Sequence, residues 1–169
     1  DAIAVSAGPG SYTGLRVGVA TAKGLCYSWN KPLIGISTLQ MMAQGLHAQL
    51  QDAAAMYCPL LDARRQEVYT AVYSAALVPL MPPQALILTP DAFNEWLERG
   101  SIYFFGDGSM KWEQMLASQS HPNARFVPYD ISASHMIPLS EAAFERKQFE
   151  DTAYFSPFYL KPFYTPAKE

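Results

Sequence analysis

The residues best placed to do chemistry come early. Gly8-Pro9-Gly10-Ser11-Tyr12-Thr13-Gly14 forms a glycine-rich turn ahead of a long helical pattern. Backbone amides and the helix dipole favour an anion at such a turn, so Gly8, Gly10, Ser11 and Thr13 are a candidate anion or turn loop. The spacing departs from the common phosphate motifs. A P-loop places four residues between its glycines and a Lys after the second. Here five residues separate Gly8 from Gly14, and Leu15 follows. The dinucleotide fingerprint needs two residues between its second and third glycines, and here Ser11, Tyr12 and Thr13 make three. The acidic residue expected after the next strand is also absent, since that strand ends Gly35-Ile36-Ser37-Thr38. A tight turn with Ser11 as helix N-cap accounts for the same residues.

The other reactive side chains are scattered. His47, His121 and His135 fall in no HExxH, HxxxH or His–Cys context, so no catalytic residue and no metal ligand is assigned. His47 is expected on a solvated helix face. Cys26 and Cys58 make no CxxC pair and read as buried free thiols of a reducing compartment. Asp62, Arg64, Arg65 and Glu67 crowd a hairpin tip, read either as turn chemistry with surface ion pairs or as a charged contact for a partner or RNA backbone. Asp107 between Gly106 and Gly108 is a turn residue, with a nucleotide or metal contact as the other reading.

These side chains need elements to hold them. Ile3 to Ser6 reads as a buried strand, followed by a helix to about Trp29. Gly14, Gly18 and Ala22 form a small-residue stripe on that helix, where a glycine costs about 1 kcal/mol relative to alanine. Leu15, Val19, Ala22, Cys26 and Trp29 form an apolar seam beside it, and Arg16 and Lys23 share a more polar side. The stripe fits packing on the chain's own sheet or on another subunit. Leu33 to Ile36 is a second parallel strand, completing a right-handed βαβ unit. Ser37 and Gln40 make a capping box for a helix over 38–51. Composition changes near Ala53. Met56 to Leu61 and Glu67 to Tyr73 form a hairpin whose second strand alternates as a half-buried strand does. Pro79, Pro82 and Pro83 punctuate a loop before an edge strand over 85–88. Thr89 caps a helix with Pro90 at its first position. Ser101 to Phe105 is a strand, Met110 to Ala117 a short helix, and Arg125 to Val127 re-enters the sheet. Ser132 or Ser134 caps a helix that Pro138 breaks or restarts, and 140–149 reads as helical. The aromatic tail over 154–164 is expected to pack back on the first domain or on a partner.

The chain has 169 residues, is 50% hydrophobic and 16% charged, and carries a net charge of −3. That is ordinary globular composition. It has no apolar run long enough to span a membrane, no basic-then-apolar leader pattern, and too little clustered Lys and Arg to hold nucleic acid alone.

The block GPGSYTGLRVGVATAKGLCY closely resembles the signature of the bacterial TsaB (YeaZ) family. Further matches follow in order: Lys31 to Leu39, Pro59 to Tyr69, Gly106-Asp107-Gly108 and Tyr159-Leu160-Lys161. The resemblance implies an α/β chain of the actin/hexokinase-like (RNase H-like) fold with two small α/β subdomains. Residues 1–55 would be the remainder of an N-terminal subdomain, incomplete here because family members carry a strand hairpin, another strand and a helix before this point. Residues 56–153 would be the C-terminal subdomain and 154–169 the tail. The resemblance also implies a non-catalytic subunit that scaffolds and activates a TsaD-like enzyme. With a TsaE-like ATPase, that assembly transfers threonylcarbamoyl to adenosine 37 of tRNA. ATP and a metal would belong to those partners, with no cofactor bound by this chain alone. The tRNA would be met only through the complex, a homodimer is expected in isolation, and the compartment is cytoplasmic. The partner face is assigned to Gly14, Leu15, Gly18, Val19 and Ala22, flanked by Arg16 and Lys23. A nucleotide-binding phosphotransferase of the same superfamily and a metallopeptidase remain as alternatives.

Overall fold

The computed structural model describes residues 1–116 and 120–161. The end of the helix predicted to reach Ala117, and the tail beyond Lys161, lie outside them. Strand β1 (Ile3–Gly8) runs into helix α1 (Tyr12–Trp29). Ser11 caps α1, its hydroxyl accepting from the Gly14 amide at 3.3 Å, and left-handed Asn30 ends it (φ 49°). Strand β2 (Leu33–Ser37) then pairs parallel to β1. Ser37 caps helix α2 (Thr38–Leu50) by accepting from Gln40 N at 3.5 Å.

The second sheet has the order β5-β4-β3-β6-β7. Its strands are β3 (Met56–Asp62), β4 (Glu67–Tyr73), β5 (Pro79–Ile87), β6 (Ile102–Phe105) and β7 (Ala124–Phe126). Strand β4 is antiparallel to both neighbours, whereas β3, β6 and β7 run parallel. Helices α3 (Asn94–Arg99) and α4 (Ser109–Leu116) follow β5 and β6. A 3-10 turn (Ala133–Met136) leads into α5 (Ile137–Glu145).

Helix α2 joins the two sheets. Its Leu39, Met42, Ala43 and Leu46 pack on Tyr57, Ala71, Tyr73 and Phe105 of the second sheet. Its Met41 reaches Ile34 and Ile36 of the first, beside Ala143 of α5. The opposite face of the second sheet is covered by Phe93, Leu97, Trp112 and Leu116. Strand β4 is therefore buried on both faces, with Val68 and Val72 on one side and Ala71 and Tyr73 on the other. The half-buried pattern expected for it does not hold, because helices cover the sheet twice.

Four other expectations change. The proline stretch over 79–83 is strand, not loop: β5 runs along the sheet edge, where missing N–H donors are tolerated, and its register on β4 shifts twice. Helix α3 starts at Asn94, not at Pro90. The Thr89 carbonyl instead accepts from Ala92 N and from the Trp112 indole at 3.1 Å, folding the chain into turns that bury Phe93. Helix α5 stops at Glu145 because the chain must extend to pair Glu150 with Leu33, and Lys147 turns it with φ 56°. His47 is not simply solvated. It is half-buried, with Nδ1 at 3.2 Å from the Tyr57 hydroxyl, which donates to the Asp52 carbonyl at 3.0 Å.

Both thiols lie in the core. Burial pushes Cys58 up to about 12 and raises Cys26, and only thiolate reacts. Iodoacetamide at pH 8 is therefore expected to leave both unmodified in the folded chain and to label both in denaturant, read by intact mass. Labelling of Cys58 without denaturant would show that the β3 core opens.

Candidate partner interface

Helix α1 owes its length to two caps and its position to one seam. Leu15, Val19, Ala22 and Cys26 are buried. Ala22 and Cys26 meet Leu33, with Ile3, Val5 and Phe155 around them. Leu15, Val19 and Ala22 of the predicted partner face are buried, on the α1 side that packs on the chain's own first sheet. Gly18 is half-buried, and a Cβ there would lie 3.8 Å from Val5 Cγ2. A bulky residue at Gly18 would press on the chain's own strand.

Arg16 is exposed and stacks over the Tyr12 ring, 4.7 Å from its centroid. Lys23 turns out to hold the tail, its ammonium donating to the carbonyls of Ala153 and Phe155 at 3.0 Å each. Gly14 is exposed, as are Thr13, Val17, Ala20, Gly24 and Tyr27. Those last five repeat at four-three-four-three spacing, so they form one continuous outer stripe. Val17 is 61% and Tyr27 88% exposed. The outer stripe escaped sequence reasoning because the more apolar inner seam took the partner role. Its signal was an uncharged set of residues repeating through a helix that carries no acid.

The candidate anion loop is not an open cradle. Gly8 and Pro9 are buried. The Phe158 carbonyl lies 2.5 Å from where a Gly8 Cβ would stand, and the Ser11 hydroxyl is engaged as the cap. Gly10 and Thr13 remain at the rim.

Asp62 and Asp107 come together at the C-terminal ends of β3 and β6. Asp107 Oδ1 accepts from Asp62 N at 2.8 Å. Asp62 Oδ1 accepts from Arg64 N at 2.6 Å and from Lys111 Nζ at 2.6 Å, and Lys111 also donates to the Arg65 carbonyl. Turn chemistry thus explains the charged tip, with Arg64 (φ 67°) and Arg65 (φ 52°) both left-handed. The Lys111 hydrogen bond, ahead of the Arg64 amide and the nearby charges, holds the Asp62 carboxyl below the usual carboxylate range. A depressed folded value stabilises above the unfolded value near ~3.9 and is lost as pH falls through the folded one. Lys111→Met is expected to raise the Asp62 midpoint in a carboxyl-carbon NMR titration and to weaken the hairpin at neutral pH. An unchanged midpoint would remove Lys111 as the cause.

The three histidines stay apart. His47 meets Tyr57, His121 Nδ1 accepts from Asn123 N, and His135 Nδ1 lies 2.6 Å from the Tyr129 hydroxyl. Among the described residues no group of three His, Cys, Asp or Glu side chains could hold a metal ion. No helix among them is long and apolar enough to cross a membrane.

With this geometry established, the chain can be set beside known proteins. A family model described as TsaD, tRNA N6-adenosine threonylcarbamoyltransferase, matches residues 1–83. The tRNA threonylcarbamoyladenosine biosynthesis protein TsaB of Haemophilus influenzae is 46% identical, spanning 95% of this chain and 70% of that protein. The Bacillus subtilis protein of the same name is 32% identical, spanning 94% and 69%. A crystal structure from Pseudomonas aeruginosa, described as an uncharacterised protein with similarity to peptidase YeaZ, superposes with a TM-score of 0.77. It is 25% identical and covers 95% of this chain and 74% of that one. The α/β architecture is therefore the actin/hexokinase-like one, and the chain belongs to the TsaB family.

Proposed function

We propose that this chain is an accessory subunit of tRNA threonylcarbamoyladenosine formation that pairs with a TsaD-like enzyme. The observation that carries this reading is identity of 32% and 46% to TsaB proteins over 94% and 95% of the chain. The TsaD match over 1–83 supports it, since paired subunits related in fold can present related faces.

The finer assignments belong to the same proposal. The chain is a scaffold and activator rather than the catalyst. ATP and metal are held by the TsaD-like and TsaE-like partners, and tRNA is met only in the assembly. Alone, the chain pairs with itself, and it works in the cytoplasm. The subdomain boundaries lie at 1–55 and 56–153, with 154–169 as the tail, and α5 and Glu150 reach from the second segment onto the first sheet. The docking face is the outer stripe of α1 (Thr13, Val17, Ala20, Gly24 and Tyr27), with Gly14 and Arg16 at its margin. Such a stripe offers a second helix an uncharged face, with Val17 and Tyr27 as exposed apolar anchors and Ala20 and Gly24 admitting close approach between them.

The test is to mix the chain with the TsaD-like subunit of the same source and weigh the product by light scattering after gel filtration. A one-to-one complex is expected. Two folded proteins eluting separately would overturn the pairing, and ATP titration with a hydrolysis assay would then examine the phosphotransferase alternative.

A further inference from the structure

The last described segment, residues 150–161, crosses from the first sheet to the second. Glu150 N donates to the Leu33 carbonyl at 2.9 Å, which adds an antiparallel bridge to the free side of β2. Asp151 then closes a turn by accepting from Ala153 N at 2.8 Å. Lys23 of α1 pins that turn through two carbonyls. The Phe155 ring lies over Gly35, and Phe158 N donates to the Ala7 carbonyl at 2.7 Å. The Tyr159 ring rests on Tyr12 with centroids 5.1 Å apart. The segment then leaves the first sheet, and Lys161 pairs with Glu67 at the turn end of the β3–β4 hairpin in the second.

Two glycines are shaped to this path. A Cβ on Gly35 would lie 2.8 Å from Phe155 Cζ and 3.1 Å from Glu150 Oε1. A Cβ on Gly8 would strike the Phe158 carbonyl. Glycine inside a strand weakens it and marks a place where another segment comes close. Here the approaching segment in both cases is the chain's own C-terminal part. These contacts from Glu150 to Tyr159 are with the first sheet or α1, and the Lys161 pairing after them is with the second sheet.

We propose that residues 150–161 are a strap that couples the two sheets, with Lys23 as its latch and Gly35 as its seat, so that loosening either end loosens the other. While closed, the strap lies against Gly8 and keeps that end of the glycine turn shut to ligands. This role is independent of which subunit docks on α1.

Amide hydrogen exchange on the whole chain tests it. In Gly35→Ala the Phe155 ring must lift. Exchange at the Phe155 and Phe158 amides is expected to rise at least tenfold, and exchange at Ala63 and Glu67, across the molecule, is expected to rise with it. Loosening confined to 150–158 would overturn the coupling. If Gly35→Ala also loses protection at Phe104, it has disturbed the core. Glu67→Gln then decides from the other end of the segment, because it weakens the Lys161 pairing and leaves Gly35 and Phe155 untouched. Faster exchange at Phe158 in that variant supports the strap, and unchanged exchange there refutes it.

Discussion

Trp112→Ala is expected to cost about 3–5 kcal/mol, the range for removing a fully buried large aromatic. Trp112 has no exposed surface. Its ring centroid lies 4.5 Å from Phe104, 4.8 Å from Phe93 and 5.7 Å from Phe126. Its indole N–H donates to the Thr89 carbonyl and fixes the turn ahead of α3. Truncation removes the ring's burial, three ring contacts and that tether, and it leaves a hole that a sheet backed by α2 on its other face cannot collapse to fill. Total stability for such domains is about 5–15 kcal/mol, so this one change removes a large share. At about 2–4 °C per kcal/mol for a chain of this size, the melting temperature should fall by about 10 °C. Trp112→Phe should recover part of the loss. Trp29→Ala, at a site 60% exposed, should stay within about 0.5 kcal/mol. Equal effects at Trp112 and Trp29 in urea unfolding would show that the second-sheet core does not carry the stability.

That contrast also separates what the sequence makes legible from what it hides. Helices α1 and α2 could be read because their signals are local: Ser11 and Ser37 cap them, and the apolar residues repeat at helical spacing. The β3–β4 hairpin was legible for the same reason. Strand β5 was hidden because three prolines read as a loop, and only its place at the sheet edge makes them tolerable. The tie from Lys23 to Ala153 and Phe155 spans about 130 positions, and no local pattern encodes it. Asp62 and Asp107 meet because β3 and β6 are parallel neighbours, a fact of topology rather than of spacing. The α1 face was half legible. Its two stripes are both plain in the sequence, but which one meets the chain's own sheet depends on Leu33 and Val5, whose positions only the fold supplies.

The largest effect on assembly is expected from Val17→Glu. Val17 lies mid-stripe on the outer face of α1 and makes no core contact, so the fold should tolerate the change within about 0.5 kcal/mol. In a complex formed through this face, the new carboxylate would be buried without a designed partner. An uncompensated buried charge costs about 3–5 kcal/mol, a loss in affinity on the order of a hundredfold or more. Charge of the opposite sign should hurt less if the partner is acidic there, and the chain's own layout favours such a partner. Residues 1–51 carry three basic side chains and one acidic, whereas 52–169 carry nine and fourteen. Val17→Lys is therefore expected to weaken the pairing less than Val17→Glu. Ile87→Glu, on the edge strand β5 and 62% exposed, should leave it unchanged. Titration calorimetry against the TsaD-like subunit reads all three variants. If Val17→Glu binds as the native chain does while Ile87→Glu does not, the docking face lies on the second sheet and the α1 assignment fails.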